Sequence, residues 1–339
     1  MDGRTQVNNS IGQVPLSTFF DAIEQRLDRT IGNNWITLRV EVCGKLIELR
    51  FADPKIASLT EMSLRGRVSL STRTPDAVCV SWSDDCSLYV GEQNTQARWW
   101  IRDGESCLSY VMGDGFIGCD AKNKVIYYCH MPREDDSTNC FHLMYRSFYQ
   151  WARLEGLLLM HAAVVGVDGK GVLIGGRGGV GKSTLSVACL LGGLDFVSDD
   201  YVMLTGEGPL QAMPLYSMVS LNPDMHALLK PELPILWRRT NGKVDMDASG
   251  CHFADKLDIK AIVLPNLNDV DEPVIAPVAT GTAVTRMVYS ILTQVGALRD
   301  TEPTRIMSNR LATLPAFEYR QSQDPMRNVE FLRNFIKEL

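Results

Sequence analysis

Gly176-Arg177-Gly178-Gly179-Val180-Gly181-Lys182-Ser183 fits the pattern G-x-x-x-x-G-K-[ST]. Glycines at that spacing let backbone N–H groups turn inward around phosphate oxygens. Lys182 supplies a point charge for the outer phosphates, and the Ser183 hydroxyl supplies a ligand for Mg²⁺. Thr184 then opens a helix whose positive end favours an anion. The context agrees with the motif. A strand-like run, 171–174, precedes the loop, and an apolar helical segment, 184–191, follows it and stops at Gly192-Gly193. ATP and Mg²⁺ are the expected ligands, held by residues from Gly176 to Thr184. Arg177 is either a cation that meets nucleotide or acceptor, or a solvated side chain.

The apolar run Leu194-Asp195-Phe196-Val197-Ser198 ends in Asp199-Asp200. A strand here, beside the loop's own strand, delivers both acids to the phosphate end. One carboxylate can hold Mg²⁺ and the other can take a proton from an attacking hydroxyl. Like charges so close raise the pKa of one, and a bound cation opposes that. Residue type alone leaves the two roles open; the reading adopted puts the base at Asp199 and the metal at Asp200 and Ser183. Upstream, the β run 162–167 is joined by Asp168-Gly169 to the strand of the loop, a hairpin signal. His161 then opens the partner strand and lies at the phosphate end. A lone His after an apolar helix is more often a core residue, so only the hairpin makes it a candidate.

Three weaker signals stand beside these. Trp237-Arg238-Arg239 with Lys243 is a basic cluster that reaches either a γ-phosphate, an acidic acceptor or only solvent. Cys129-His130 with Cys140-x-His142 offers four zinc ligand types at a spacing that fits no standard site. Trp99-Trp100 in an alternating run reads as packing.

The elements that must position these residues change character along the chain. Residues 16–29 have helical spacing, and 35–42 with 46–51 read as a hairpin around Cys43-Gly44-Lys45. Short strands follow at 77–82, 97–101, 106–111 and 124–129, with Asp103-Gly104 and Asp114-Gly115 as turns. Residues 1–130 therefore read as a smaller, mostly antiparallel β domain, the natural place for recognition of an acceptor. The polar stretch 131–139 is the candidate boundary, and 141–158 reads as a helix leading into a second domain, 141–339. Strands and helices alternate from residue 159, the α/β signature. A strand is expected at 261–264 and helices near 283–295 and 325–337, the last with Phe331, Leu332, Phe335 and Ile336 facing a core.

Composition narrows the classes. The chain has 339 residues, 45% hydrophobic and 22% charged, with a net charge of -6. That is globular, long enough for about two domains, and against a general nucleic-acid binder. The segment MDGRTQVNNSIGQVPLS has no apolar h-region, and no apolar stretch approaches a membrane span. A cytoplasmic protein without membrane contact is expected. The nine cysteines form no Cys-x-x-Cys pair and read as reduced thiols. Homo-oligomerisation is left open.

The combination of His161, the strand from Gly171, Gly176, Gly181-Lys182-Ser183 and Asp199-Asp200 resembles the catalytic domain of bacterial HPr kinase/phosphorylase across about forty residues, 161–200. The resemblance implies a phosphoenolpyruvate carboxykinase-like P-loop kinase core. It implies that Lys182 and Ser183 bind ATP and Mg²⁺, that Asp199 and Asp200 supply the base and the metal contact, and that His161 assists the same acid. Thr184 stands where the family usually has Glu. The segment after Asp200 lacks the family's Gly-rich stretch, and a Pro-Gly-Arg motif is missing. The expected activity is therefore transfer of the γ-phosphate to a serine hydroxyl on a protein or peptide other than HPr. Alternatives are a kinase of a small-molecule hydroxyl and an ATPase switch that drives a partner protein.

Overall fold

The computed structural model describes residues 15–96, 98–111, 113–131, 144–295 and 301–339. The chain separates into two compact units. The first comprises Met1–Glu61, Val68–Asp136 and His142–Leu154; the second comprises Met62–Arg67, Ser137–Phe141 and Glu155–Leu339.

The first unit opens with helix α1 (Leu16–Thr30), whose buried Leu16, Phe20, Ile23 and Leu27 form one stripe. Strands β1 (Ile36–Val42) and β2 (Lys45–Phe51) form the expected hairpin, with Val42 opposite Lys45. Then come α2 (Pro54–Ser63), β3 (Ala77–Ser83) and α3 (Ser87–Val90). Strands β4 (Trp99–Asp103), β5 (Ser106–Val111), β6 (Gly115–Asp120) and β7 (Val125–His130) follow, and α4 (Tyr145–Leu154) ends the unit. The sheet order is β1-β2-β3-β7-β6-β5-β4. Four ladders are antiparallel, as expected, but β2–β3 and β3–β7 are parallel. The sequence reading contains no helix between β2 and β3. Asp53 caps one there, accepting from Lys55 N at 2.8 Å with Pro54 next in line, and α2 returns the chain for parallel pairing. Phe20 of α1 stacks on Tyr127 at 5.4 Å. Cys107 meets Gln150 of α4 at 3.2 Å; it sits next to Leu108, which faces α1, so α4 covers the opposite face. Trp99 is buried and stacks on Tyr110, as packing predicts.

The second unit begins with β8 (Leu157–His161), β9 (Ala163–Val167), β10 (Lys170–Ile174) and α5 (Lys182–Leu191). It continues with β11 (Asp195–Ser198), β12 (Tyr201–Thr205), β13 (Gln211–Pro214), β14 (Met218–Leu221) and α6 (Pro223–Leu229). Next are β15 (Ile235–Arg238), β16 (Val244–Asp247), β17 (Leu257–Val270) and β18 (Val274–Val278). Helices α7 (Thr280–Val295) and α8 (Thr301–Leu311), strand β19 (Ala316–Ser322) and α9 (Pro325–Glu338) complete it. The expected helix over 141–158 is shorter. Gly156 at φ +67 breaks it, and the uniformly apolar run after it is strand β8. Residues 132–143, which include all but the first residue of the expected boundary loop 131–139, lie outside the described residues.

The main sheet runs β11-β9-β10-β17-β13-β12-β8, with β19 on β17 and β18 on β19. Strand β10 lies between its antiparallel hairpin partner β9 and the parallel β17. Helices α5 and α9 pack a core that includes Leu185, Cys189, Val329, Leu332 and Ile336. Strands β14, β16 and β15 form a separate three-stranded sheet.

Candidate active site

Three stretches of chain meet at one end of β10, and the strand register brings them there. Ala163 pairs with Ile174, the last residue of β10, so whatever precedes β9 lies beside the phosphate loop. Ser198 pairs with Val164 and Tyr201 with His161, so β8–β9 and β11–β12 form one long antiparallel ribbon. The ribbon's ladder is interrupted where Asp199 and Asp200 stand across from Ala162 and Ala163. Two details differ from the sequence-based expectation. His161 closes β8 and does not open β9. Strand β11 lies beside β9 and not beside the loop's own strand, because the hairpin occupies that edge of β10 and leaves the other to β17.

The glycine-rich loop expected to bind phosphate spans 175–181 between β10 and α5. Gly181 at φ +92 sits immediately before the helix, a conformation that side-chain-bearing residues rarely adopt. Gln321 of β19 donates from Nε2 to Val180 O at 3.0 Å and braces the loop. Lys182 is buried and folds back, donating from Nζ to Gly176 O and Arg177 O, each at 3.1 Å. Burial holds its ammonium below the usual lysine range, against the pull of Asp200 and Asp199. Arg177, Gly178 and Gly179 are exposed, while Ser183 and Thr184 are half-buried at the start of α5.

Consecutive residues send the two carboxylates opposite ways. Asp199 points inward. Its Oδ1 accepts from Ser186 Oγ of α5 at 2.7 Å and its Oδ2 from Ser220 N of β14 at 3.0 Å. Burial pushes its pKa up, and the Lys243 charge opposes that shift. Asp200 points outward, a third exposed, with its Oδ1 at 2.5 Å from His161 Nε2. The turn between them is fixed by Ser198 Oγ, which donates to Tyr201 O at 2.7 Å and accepts from Asp200 N at 3.2 Å.

His161 is held from its other side by α7. Its Nδ1 lies 2.6 Å from Ser290 Oγ and 3.0 Å from Gln294 Nε2. An amide nitrogen only donates, so Nδ1 accepts and the ring proton of a neutral His161 sits on Nε2, aimed at Asp200. Tyr201 OH donates to Gln294 Oε1 at 2.5 Å and holds the amide in that sense.

A further network supports Asp199 from behind. Arg239 Nε donates to Asp245 Oδ2 at 2.7 Å, and Asp245, fully buried, accepts from Ser220 Oγ. Arg239 is thereby committed to structure, while Arg238 and Trp237 are exposed. Ser186, Ser220, Asp245, Ser290, Gln294 and Gln321 have no signature in the sequence. Only the i, i+4 spacing of Ser290 and Gln294 on α7 hinted that they act together.

Among the described residues no cluster of three or more metal-ligating side chains is present. Cys129 lies 3.5 Å from Cys86 in the first unit, and Cys140 and His142 lie outside the described residues. No described helix is long and apolar enough to cross a membrane.

No protein-family profile and no curated protein matches the chain. Among solved structures it is similar to the HPr(Ser) kinase/phosphatase from Coxiella burnetii, at 15% identity and a TM-score of 0.30. That match covers 53% of this chain and 97% of the other. A likeness of that size carries no weight for function, which has to be read from the site itself.

Proposed function

We propose that the chain is an ATP- and Mg²⁺-dependent kinase that transfers the γ-phosphate to a serine hydroxyl of a protein or peptide. The observation that carries this is the oriented pair of His161 and Asp200 at the end of a strand–loop–helix phosphate site. A phosphate-binding loop alone serves binding or hydrolysis equally well. A carboxylate one-third exposed, whose orientation is set by a histidine itself held from α7, is suited to take a proton from an incoming hydroxyl.

In the proposed step the serine Oγ attacks the γ-phosphorus and an O–P bond forms. The bond from that phosphorus to the bridging oxygen breaks, and ADP leaves with the electron pair. The serine proton goes to the Asp200 carboxylate. His161 donates from Nε2 to Asp200 Oδ1 and sets the orientation of that carboxylate. Lys182 must leave the loop carbonyls to meet phosphate oxygens. Mg²⁺ would neutralise charge on the phosphates. Ser183 and Asp199 fit it, because both present oxygen and Asp199 is a buried carboxylate with no cation bonded to it among the described residues. These roles exchange the two aspartates relative to the sequence-based reading, since His161 reaches Asp200 and Asp199 faces the core.

The test is incubation with γ-labelled ATP and lysate of the source cells, followed by identification of the labelled species and residue. Label on a serine of one protein or peptide is expected. Steady ATP consumption with no labelled acceptor would instead favour a hydrolytic switch.

A further inference from the structure

The basic cluster between β15 and β16 divides in the structure. Arg239 is spent on Asp245 and Ser220, and Arg238 is exposed to solvent. Lys243 is different. It is half-buried, and no carboxylate lies within bonding distance of its ammonium among the described residues. It immediately precedes Val244, which pairs with Leu221, and the next residue, Ser220, carries the N–H that holds Asp199. The register therefore sets Lys243 two positions before Asp245, the residue opposite the Asp199 anchor Ser220, and so on the same face of the strand as Asp245.

The turn that carries Lys243 is built to hold it still. Arg239 N donates to Lys243 O at 2.8 Å, Gly242 N to Arg239 O at 2.8 Å, and Lys243 N to Asn241 Oδ1 at 3.1 Å. The Arg239 guanidinium then locks the turn to buried Asp245. The Lys243 charge is close enough to be felt by both Asp199 and Lys182. A half-buried ammonium costs desolvation unless an anion meets it. Asp199 meets it only at a distance, because both Asp199 oxygens already accept other bonds.

We infer that Lys243 is a second phosphate-facing cation, contacting the phosphoryl group as it passes from nucleotide to acceptor. This rests on the kinase reading above. With Lys182 it would grip the transferring group from two sides, where charge spreads over the equatorial oxygens. The rival role is purely structural, a countercharge that lets Asp199 stay ionised.

Binding of Mg·ADP alone and of Mg·ADP with aluminium fluoride, a mimic of the transferring phosphoryl group, separates the possibilities without any acceptor. Wild type should bind the fluoride complex much more tightly than ADP. Lys243→Gln should lose about 30-fold or more of that preference, keep its ADP affinity within about threefold, and melt as wild type does. Lys243→Arg should recover part of the preference. A Lys243→Gln variant that keeps the full preference overturns the inference. So does one that loses ADP affinity and thermal stability together and is not helped by Arg. If wild type itself shows no preference for the fluoride complex, the kinase reading falls, and the role of Lys243 in it falls too.

Discussion

At the residue scale, the two aspartates are neighbours in sequence with different surroundings, and they should fail differently. Asp200→Asn keeps shape but removes the proposed acceptor for the serine proton. A loss of about 10²–10⁴-fold in rate is expected, with no rescue by Mn²⁺. Asp199→Asn should weaken metal binding, and raised Mg²⁺ or Mn²⁺ should recover part of its rate. Initial rates against metal concentration decide this. Equal rescue of both variants would remove the distinction drawn between them. The same burial gives Asp199 a signature in stability. Burial holds its folded pKa above the ordinary aspartate value of 3.8, so as pH rises the unfolded chain releases this proton first. The folded nucleotide-free protein then binds more protons than the unfolded one, and stability falls with rising pH from about 3.8 until the folded pKa is passed. Asp199→Asn should remove that fall. Chemical denaturation of both proteins from about pH 4 to about pH 7 reads it, and an unchanged slope in the variant would show that another group is responsible.

At the scale of elements, the site depends on parts distant in sequence. Strand β19 reaches the glycine-rich loop through the side chain of Gln321, buried and bonded to Val180 O. Gln321→Ala removes one hydrogen bond, worth about 1 kcal/mol, and leaves a loop carbonyl without that partner. ATP affinity should fall about fivefold, since the loop must then be ordered by the ligand itself. Melting temperature should move little, because the strand around Gln321 keeps its ladder with β17. Calorimetric titration with a non-hydrolysable ATP analogue checks this. Unaltered affinity would mean that the loop is held by its glycine geometry and helix α5 alone.

At the scale of the whole molecule, the two units are not consecutive pieces of chain. The segment Met62–Arg67 belongs to the second unit. There Arg65 Nη1 donates to Asp247 Oδ2 at 2.6 Å, Gly66 N to Ser217 Oγ at 2.9 Å, and Ser217 N to Ser63 O at 2.8 Å. These contacts cover the strands that hold Ser220, and through it Asp199. A truncation that begins at Phe141 therefore leaves buried Asp247 without its cation. It should be less stable than the intact second unit by roughly 1–3 kcal/mol from that bond alone. Supplying residues 58–69 as a peptide or a fused segment should restore stability. Gly66→Ala in the full chain should mimic part of the loss, because its Cβ would lie 2.5 Å from Ser217 Oγ. Thermal denaturation of the three proteins tests this. A truncation as stable as one carrying the segment would make Met62–Arg67 dispensable.

The amino-acid sequence by itself determined the parts whose reasons are local. The phosphate loop, its strand and its helix are contiguous, and each glycine, lysine or serine acts within a few residues of itself. The hairpins at Cys43-Gly44 and Asp168-Gly169 are likewise set by turn residues, and α1 by the spacing of Phe20, Ile23 and Leu27. Tertiary structure alone decided what depends on which strands become neighbours. Nothing in the run 157–161 says that it pairs with β12, the register that sets Tyr201 opposite His161 and so brings Asp200 beside it. Which aspartate faces the core depends on Ser186 and Ser220, 13 and 21 residues away, meeting around one carboxylate. The strap at 62–67 and the brace at Gln321 belong to the same class. Their contacts join chain segments about 140 or more residues apart, and long-range contacts of that kind leave no period or motif in the sequence.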